Sequence, residues 1–158
     1  MIDTPQKHPS AYLTFTLHAH LPYVVNHGTW PHGLEWLHEA AAETYLPLLR
    51  VLSNLERDGI ALKANLNISP ILLEQLAHPV FKAEFPKYLA RKIAAAGEDE
   101  AFFNQNGEPH LAETARYWQA GWYYSLDYCQ SLDGDIIRGF REAAERKQLD
   151  IITCGATH

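Results

Sequence analysis

Leu13-Thr14-Phe15-Thr16-Leu17-His18-Ala19-His20-Leu21-Pro22-Tyr23 alternates apolar and polar residues over its first eight positions. Successive side chains of a strand point to opposite faces. Read as a strand, the stretch sends Leu13, Phe15, Leu17 and Ala19 one way, and Thr14, Thr16, His18 and His20 the other. Pro22 has no N–H to offer a ladder and ends the strand. Two imidazoles thus emerge on one face, at the carboxyl end of an early strand, where ligands bind in α/β sheets and barrels. There they can ligate a metal, move protons or hydrogen-bond a polar substrate. The plain alternative is a pair of satisfied histidines at a strand edge.

Residues 24–33 follow with two Gly and a Pro, which marks a loop beside any site at that strand end. Its Trp30 either stacks on a ligand or seals the edge of the core. Residues 34–58 read as helix, with Leu37, Ala41, Tyr45, Leu48, Leu52 and Leu55 at three- and four-residue steps. Pro47 should kink or divide it, and Gly59 is a natural end. Glu35, Glu39 and Glu43 share one helix face and read as solvated rather than catalytic.

Residues 60–68 repeat the scheme of the first strand. Leu62, Ala64, Leu66 and Ile68 form one face, and Lys63, Asn65 and Asn67 the other. Polar residues near strand ends are what a sugar site at a barrel mouth needs; an exposed polar face is the alternative. Ser69-Pro70 opens a short helix to Ala77. Phe81, Phe85, Leu89 and Ile93 mark another, containing Pro86 and expected to end near Gly97, with a polar loop over 98–107. A long helix over 109–132 carries six aromatic residues between Tyr117 and Tyr128, read as packing against a neighbouring layer. Residues 135–147 form a further helix. Residues 149–158 read as a third strand ending on His158.

Composition narrows the class. At 158 residues the chain is expected to be one domain that buries about 70% of its unfolded surface. A net charge of -6, with no Lys/Arg-rich run, argues against nucleic acid or an anionic membrane as partner. No apolar run approaches the ~20 residues of a membrane span, and the polar start lacks a signal-peptide core. Cys129 and Cys154 lie far apart and read as reduced thiols, so a cytoplasmic protein fits best. Nine His, eight Tyr and four Trp suit sugar binding, and equally a dense core.

Strand, helix, strand, several helices, strand is a βαβ order with a parallel sheet. Three strands make a poor closed unit, since a barrel needs seven or eight strands in roughly 250 residues. The expectation is an α/β chain forming the first part of a larger domain.

Several motifs together resemble glycoside hydrolase family 57, close to its glucan branching enzymes. They are Leu17-His18-Ala19-His20-Leu21-Pro22-Tyr23, Trp30-Pro31, Glu35-Trp36-Leu37, Glu43-Thr44-Tyr45-Leu46-Pro47-Leu48-Leu49, Asn65-Leu66-Asn67-Ile68-Ser69-Pro70, Leu72-Leu73-Glu74-Gln75-Leu76 and Ile151-Ile152-Thr153-Cys154-Gly155-Ala156-Thr157-His158. The resemblance implies the N-terminal portion of a (β/α)7 barrel over residues 12–158; the stretch 1–11 before it is expected to be flexible. It implies retaining chemistry that cuts α-1,4-glucan (amylose, glycogen) and transfers the chain to a 6-hydroxyl. His18, His20 and His158 match positions lining the sugar site, and Trp30 an aromatic at its edge. The family's nucleophilic Glu and acid/base Asp belong to later signatures, so no catalytic residue is assigned here. No metal and no cofactor are expected, and oligomeric state is left open. Two other readings stand beside this one. The first is a metal-dependent hydrolase, such as a deacetylase, using His18 and His20. The second is a non-catalytic glucan-binding remnant.

Overall fold

The computed structural model describes residues 11–156. His158 and residues 1–10 lie outside the described residues. Three parallel strands, β1 (Thr16–Ala19), β2 (Ala64–Ile68) and β3 (Leu149–Ile152), form one sheet in the order β1-β2-β3. In register, Leu17 pairs with Leu66 and His18 with Asn67, while Asn65 pairs with Asp150 and Asn67 with Ile152. The alternation of β2 decides its faces: Ala64, Leu66 and Ile68 are buried, and Asn65 and Asn67 are half-buried on the other side. The strands are shorter than their patterns suggest. Leu13 and Phe15 precede β1 and are 80% and 54% exposed. Beyond Ile152 the chain leaves β3.

The segment after β1 is helical as expected, and Pro47 organises it. It comprises α1 (Leu34–Ala40), a π-helical turn (Ala41–Tyr45) and α2 (Leu46–Arg57). Pro47 lacks an N–H, and its ring would strike the carbonyl of Glu43 in an α-ladder. The ladder widens just before it, so that the Leu46 N–H reaches back to the carbonyl of Ala41. The run ends at Gly59, whose φ of +71° is a left-handed conformation that suits glycine, with Ile60 N–H bonded to the carbonyl of Leu55.

After β2 come α3 (Pro70–Ala77), α4 (Pro79–Gln105), α5 (Pro109–Ser131) and α6 (Ile136–Glu145). His78 separates the first two and caps the second, its Nδ1 accepting from Val80 N–H at 3.2 Å. The helix expected to stop at Gly97 runs on to Gln105, so the loop expected over 98–107 shrinks to a turn around Gly107. Gly97 marks a close approach instead. A Cβ there would meet the Gln119 amide at 2.7 Å, and that amide donates to the carbonyl of Ile93 at 3.0 Å. Glu100 then pairs with Arg116 of α5 at 2.7 Å, and α4 and α5 lie side by side.

The core is one cluster on the apolar face of the sheet. Leu37, Leu49, Leu52, Leu66, Leu72 and Phe85 are among its fully buried members. Two polar residues hold its edges. Gln75 occupies a core position of α3, three residues after Leu72. Its Oε1 accepts from Val24 N–H at 2.7 Å, and its Nε2 donates to the carbonyls of Pro22 (3.1 Å) and Leu21 (3.4 Å). Gln148 donates to the carbonyl of Leu52 at 2.8 Å and ties α2 to the start of β3.

The aromatic run on α5 departs from expectation. Trp122 is buried, yet Tyr117 is 74%, Trp118 49% and Tyr123 56% exposed. A helix has one inward stripe, and here Ala112, Ala115, Trp122, Ser125 and Cys129 fill it. Tyr117, Trp118 and Tyr123 lie off that stripe, while Tyr128 packs against the edge of the core. The acidic face of α1 is also less solvated than expected: Glu35 and Glu39 are half-buried, and Glu35 lies 3.8 Å from Arg91 of α4.

Under that face His38 is buried among Phe81, Phe85 and Tyr88, with ring centroids 5.2–5.8 Å away. Its Nε2 and the Tyr88 hydroxyl lack a hydrogen-bond partner among the described residues. Burial, reinforced by Arg91 and opposed by Glu84, pushes the His38 imidazole down to about 4. Burial, with Glu39, Glu43 and Glu35 nearby, holds the Tyr88 hydroxyl above its ordinary range.

Two outcomes follow from this packing. Gln75→Ala strands a buried N–H and two carbonyls, and should lower the unfolding free energy by about 1–3 kcal/mol in urea. His38 supplies an acid sensitivity. Unfolded, it takes up a proton near 6.5; folded, only near 4. The unfolded chain therefore binds more protons between those values. This contribution is complete above about pH 6.5 and drains away as pH falls toward 4. Urea midpoints at pH 7 and pH 5 should show a loss of roughly 2 kcal/mol, and His38→Leu should remove most of the difference.

Candidate functional site

The polar face of the sheet carries a cross-strand row of side-chain hydrogen bonds at its carboxyl end. Asn67 is its centre. Its Nδ2 donates to the carbonyl of Ile152 on β3 at 3.0 Å, which turns its Oδ1 toward β1. There His18 Nδ1 approaches to 2.6 Å. An amide oxygen only accepts, so His18 carries a proton on Nδ1. This fixes the tautomer of the neutral ring and leaves Nε2 as its acceptor edge.

One step along, His20 Nδ1 meets Ser69 Oγ at 2.9 Å. Ser69 stands at the N-cap of α3, but its hydroxyl makes no cap bond and is turned to His20 instead. Both imidazoles are therefore anchored through Nδ1, His18 to β2 and His20 to the residue that follows β2 at the start of α3. They lie nearly parallel, 12° apart, with centroids separated by 6.2 Å. Two residues of strand rise about 6.6 Å, so this stacking is the direct consequence of a His-x-His pair on one face. His18 is exposed and His20 half-buried.

Beneath His18 the same face continues with Asn65, whose Nδ2 lies 3.3 Å from the hydroxyls of Thr14 and Thr16. Asp150 sits opposite Asn65 in register. It is the one acid on this strand face among the described residues, and it lies one layer behind the histidines. Above the row, Cys154 Sγ approaches the carbonyl of Ile68 at 3.9 Å. Cys154 and Cys129 are free thiols, the latter buried and pushed up to about 11 by that burial.

Trp30 is set apart from this packing. It lies on the loop after β1 and is 76% exposed, so it does not seal the core. The loop is held shut behind it: Leu34 N–H donates to the carbonyl of Gly28 at 3.0 Å, and Glu35 N–H to that of Thr29 at 3.1 Å. Gly33 is required there, since a Cβ would run into the backbone of Gly28. The indole is thus presented on a closed turn rather than buried. The fourth expected position, His158, lies outside the described residues.

The structure brings together His18, His20, Asn67 and Ser69. The sequence pattern marked the histidines directly, and Asn67 only as an amide near a strand end. Ser69 looked like a helix cap. Gln75, which holds the backbone just past the histidines, was missed; a polar residue at a core step of an apolar helix face was the available signal. Chemically, the row offers orientable donors and acceptors to a hydroxyl-rich ligand.

Known proteins share this arrangement of chain. The profile of glycosyl hydrolase family 57 matches residues 14–158. A 1,4-alpha-glucan branching enzyme of Thermococcus kodakarensis is 38% identical over 147 residues, which cover 93% of this chain and 21% of that enzyme. The crystal structure of the family 57 type branching enzyme of Pyrococcus horikoshii superposes with a TM-score of 0.88 at 41% identity, over 93% of this chain and 27% of that one. The α-amylase AmyC of Thermotoga maritima superposes with a TM-score of 0.83 at 29% identity, over 92% and 27%. The chain spans only about a fifth to a quarter of these relatives. With the profile covering nearly all of it, this chain belongs to glycosyl hydrolase family 57.

Proposed function

We propose that this chain contributes the opening strands and part of the sugar-lining wall of an α-glucan-acting enzyme of the branching type. The observation that carries the reading is the anchored pair His18 and His20. Their Nδ1 atoms are held by Asn67 and Ser69, so each ring is fixed for hydrogen bonding to sugar hydroxyls at the carboxyl end of the sheet. In this reading β1, β2 and β3 are the first strands of a (β/α)7 barrel, with the polar face turned inward. Trp30 stacks on a pyranose at the rim, and His158 joins the histidines. Two free thiols suit a reducing cytoplasmic setting.

The 158 residues alone do not catalyse transfer. Retaining attack on a glycosidic bond requires two carboxyl groups about 5–5.5 Å apart. Among the described residues the polar strand face carries Asp150 alone.

Titration with maltoheptaose, followed by NMR, should shift the imidazole signals of His18 and His20. His18→Ala should weaken that binding about tenfold. Unmoved imidazole signals at saturating sugar would overturn the reading. In the same preparation amylose should keep its iodine staining and gain no α-1,6 linkages. Branching that co-purifies with the chain and disappears in His18→Ala would show that the chain holds a complete catalytic set.

A further inference from the structure

The exposed rings of α5 do not lie on a flat surface. Tyr117, Trp118 and Tyr124, together with α2 and the π turn, line a groove of about 560 Å³, within the range of small-ligand sites. Trp118 and Trp122 stack in it, with centroids 5.5 Å and planes 25° apart. Trp122 is buried beneath, and Trp118 is half exposed above it. Tyr117 stands edge-on to Trp118, at 6.0 Å and 80°. On the facing wall the Arg50 guanidinium lies 4.3 Å above the ring of Tyr124, a cation–π contact that holds it at the groove it lines. Glu43, exposed on the π turn, completes the rim.

This groove is separate from the histidine row. The cleft beside β1 takes His18 and His20 together with Leu17, Ala19 and Leu66 of the apolar face and with Thr44 and Tyr45 of the π turn. The groove takes Ala42 and Glu43 of that same turn and has no lining residue in common with the cleft. The widened turn at Pro47 therefore contributes to two different concavities.

We propose that the groove is a second α-glucan site, holding a segment of the polymer away from the strand ends. The proposal rests on the α-glucan reading given above. A pyranose has an apolar C–H face and a rim of hydroxyls. Trp118 offers a half-exposed indole already held flat by Trp122, which suits the apolar face. Arg50 and Glu43 offer a forked donor and a forked acceptor, which suit adjacent hydroxyls. A purely apolar helix partner would leave this Arg and Glu desolvated at the rim, which is unfavourable. A site of this kind retains a long polymer near the protein through two weak contacts rather than one.

The test is made on the 158-residue chain with maltoheptaose, observing the indole N–H signals of Trp118 and Trp122 in a His18→Ala background. His18→Ala weakens the strand-end contact about tenfold, and the indoles of Trp118 and Trp122, which line only the groove, report it directly. Both indole signals should move with sugar. Trp118→Ala should weaken the response of Trp122 about tenfold, the loss of one aromatic anchor. Arg50→Gln should weaken it without altering the melting temperature. Stationary indole signals beside shifting His18 and His20 signals in the unmutated chain would overturn the groove and leave the strand-end reading standing. Stationary signals at both places would overturn both. Indole shifts that grow with protein concentration and ignore sugar would assign the groove to a second copy of the chain, and so overturn the proposal.

Discussion

Asn67 is hydrogen-bonded to both neighbouring strands, and much of the molecule depends on that position. It lies on β2, the central strand, so its amide can reach β1 on one side and β3 on the other. Donation to Ile152 fixes which way the amide faces. That choice fixes the proton on His18. Placing His18 places His20, because they are two residues apart on one strand face and stack accordingly. The candidate site is thus a property of sheet register. A slip of one residue would carry the histidines to the apolar face.

The opposite face shows how that register is held. Ala64, Leu66 and Ile68 are buried against the helical layer, and Gln75 reaches from α3 to grip the backbone at Leu21, Pro22 and Val24. The grip lies directly beyond the histidines. It joins the start of the helix bundle to the exit of β1, so packing in the core and posture at the site are mechanically linked. Ser69 makes a second link, since one residue serves as the start of α3 and the partner of His20.

Tension between propensity and packing is visible at two places. Pro47 opens the helix into a π turn that serves two concavities. His38 and Tyr88 place polar atoms in an aromatic cluster where the described residues give them no partner. Burial then suppresses both charged forms. Helix α4, which contributes Tyr88 and covers His38, also carries Arg91 toward the acidic face of α1, so that face is partly neutralised instead of merely solvated.

Alternation along residues 13–20 and 60–68, helical spacing around Pro47, and the placement of His18 and His20 at a strand end were all determined by the sequence itself. These depend on local periodicity, and a strand or helix keeps its period wherever it is placed. The family resemblance was legible for the same reason, being carried by contiguous motifs. Tertiary structure decided the rest. Gly97 looked like a helix stop, because glycine is a poor helix former in isolation; close packing of α5 makes it a contact point within α4. The rings from Tyr117 to Tyr128 looked like core, because their spacing is helical. Spacing says only that residues share a face, and which face turns inward was settled by Ala112, Ala115 and Ser125 fitting against the neighbouring helices. The roles of Asn67, Ser69 and Gln75 were beyond the pattern altogether. Each bonds a residue some fifty or more positions away, and such a partner is chosen only when the strands have found their register.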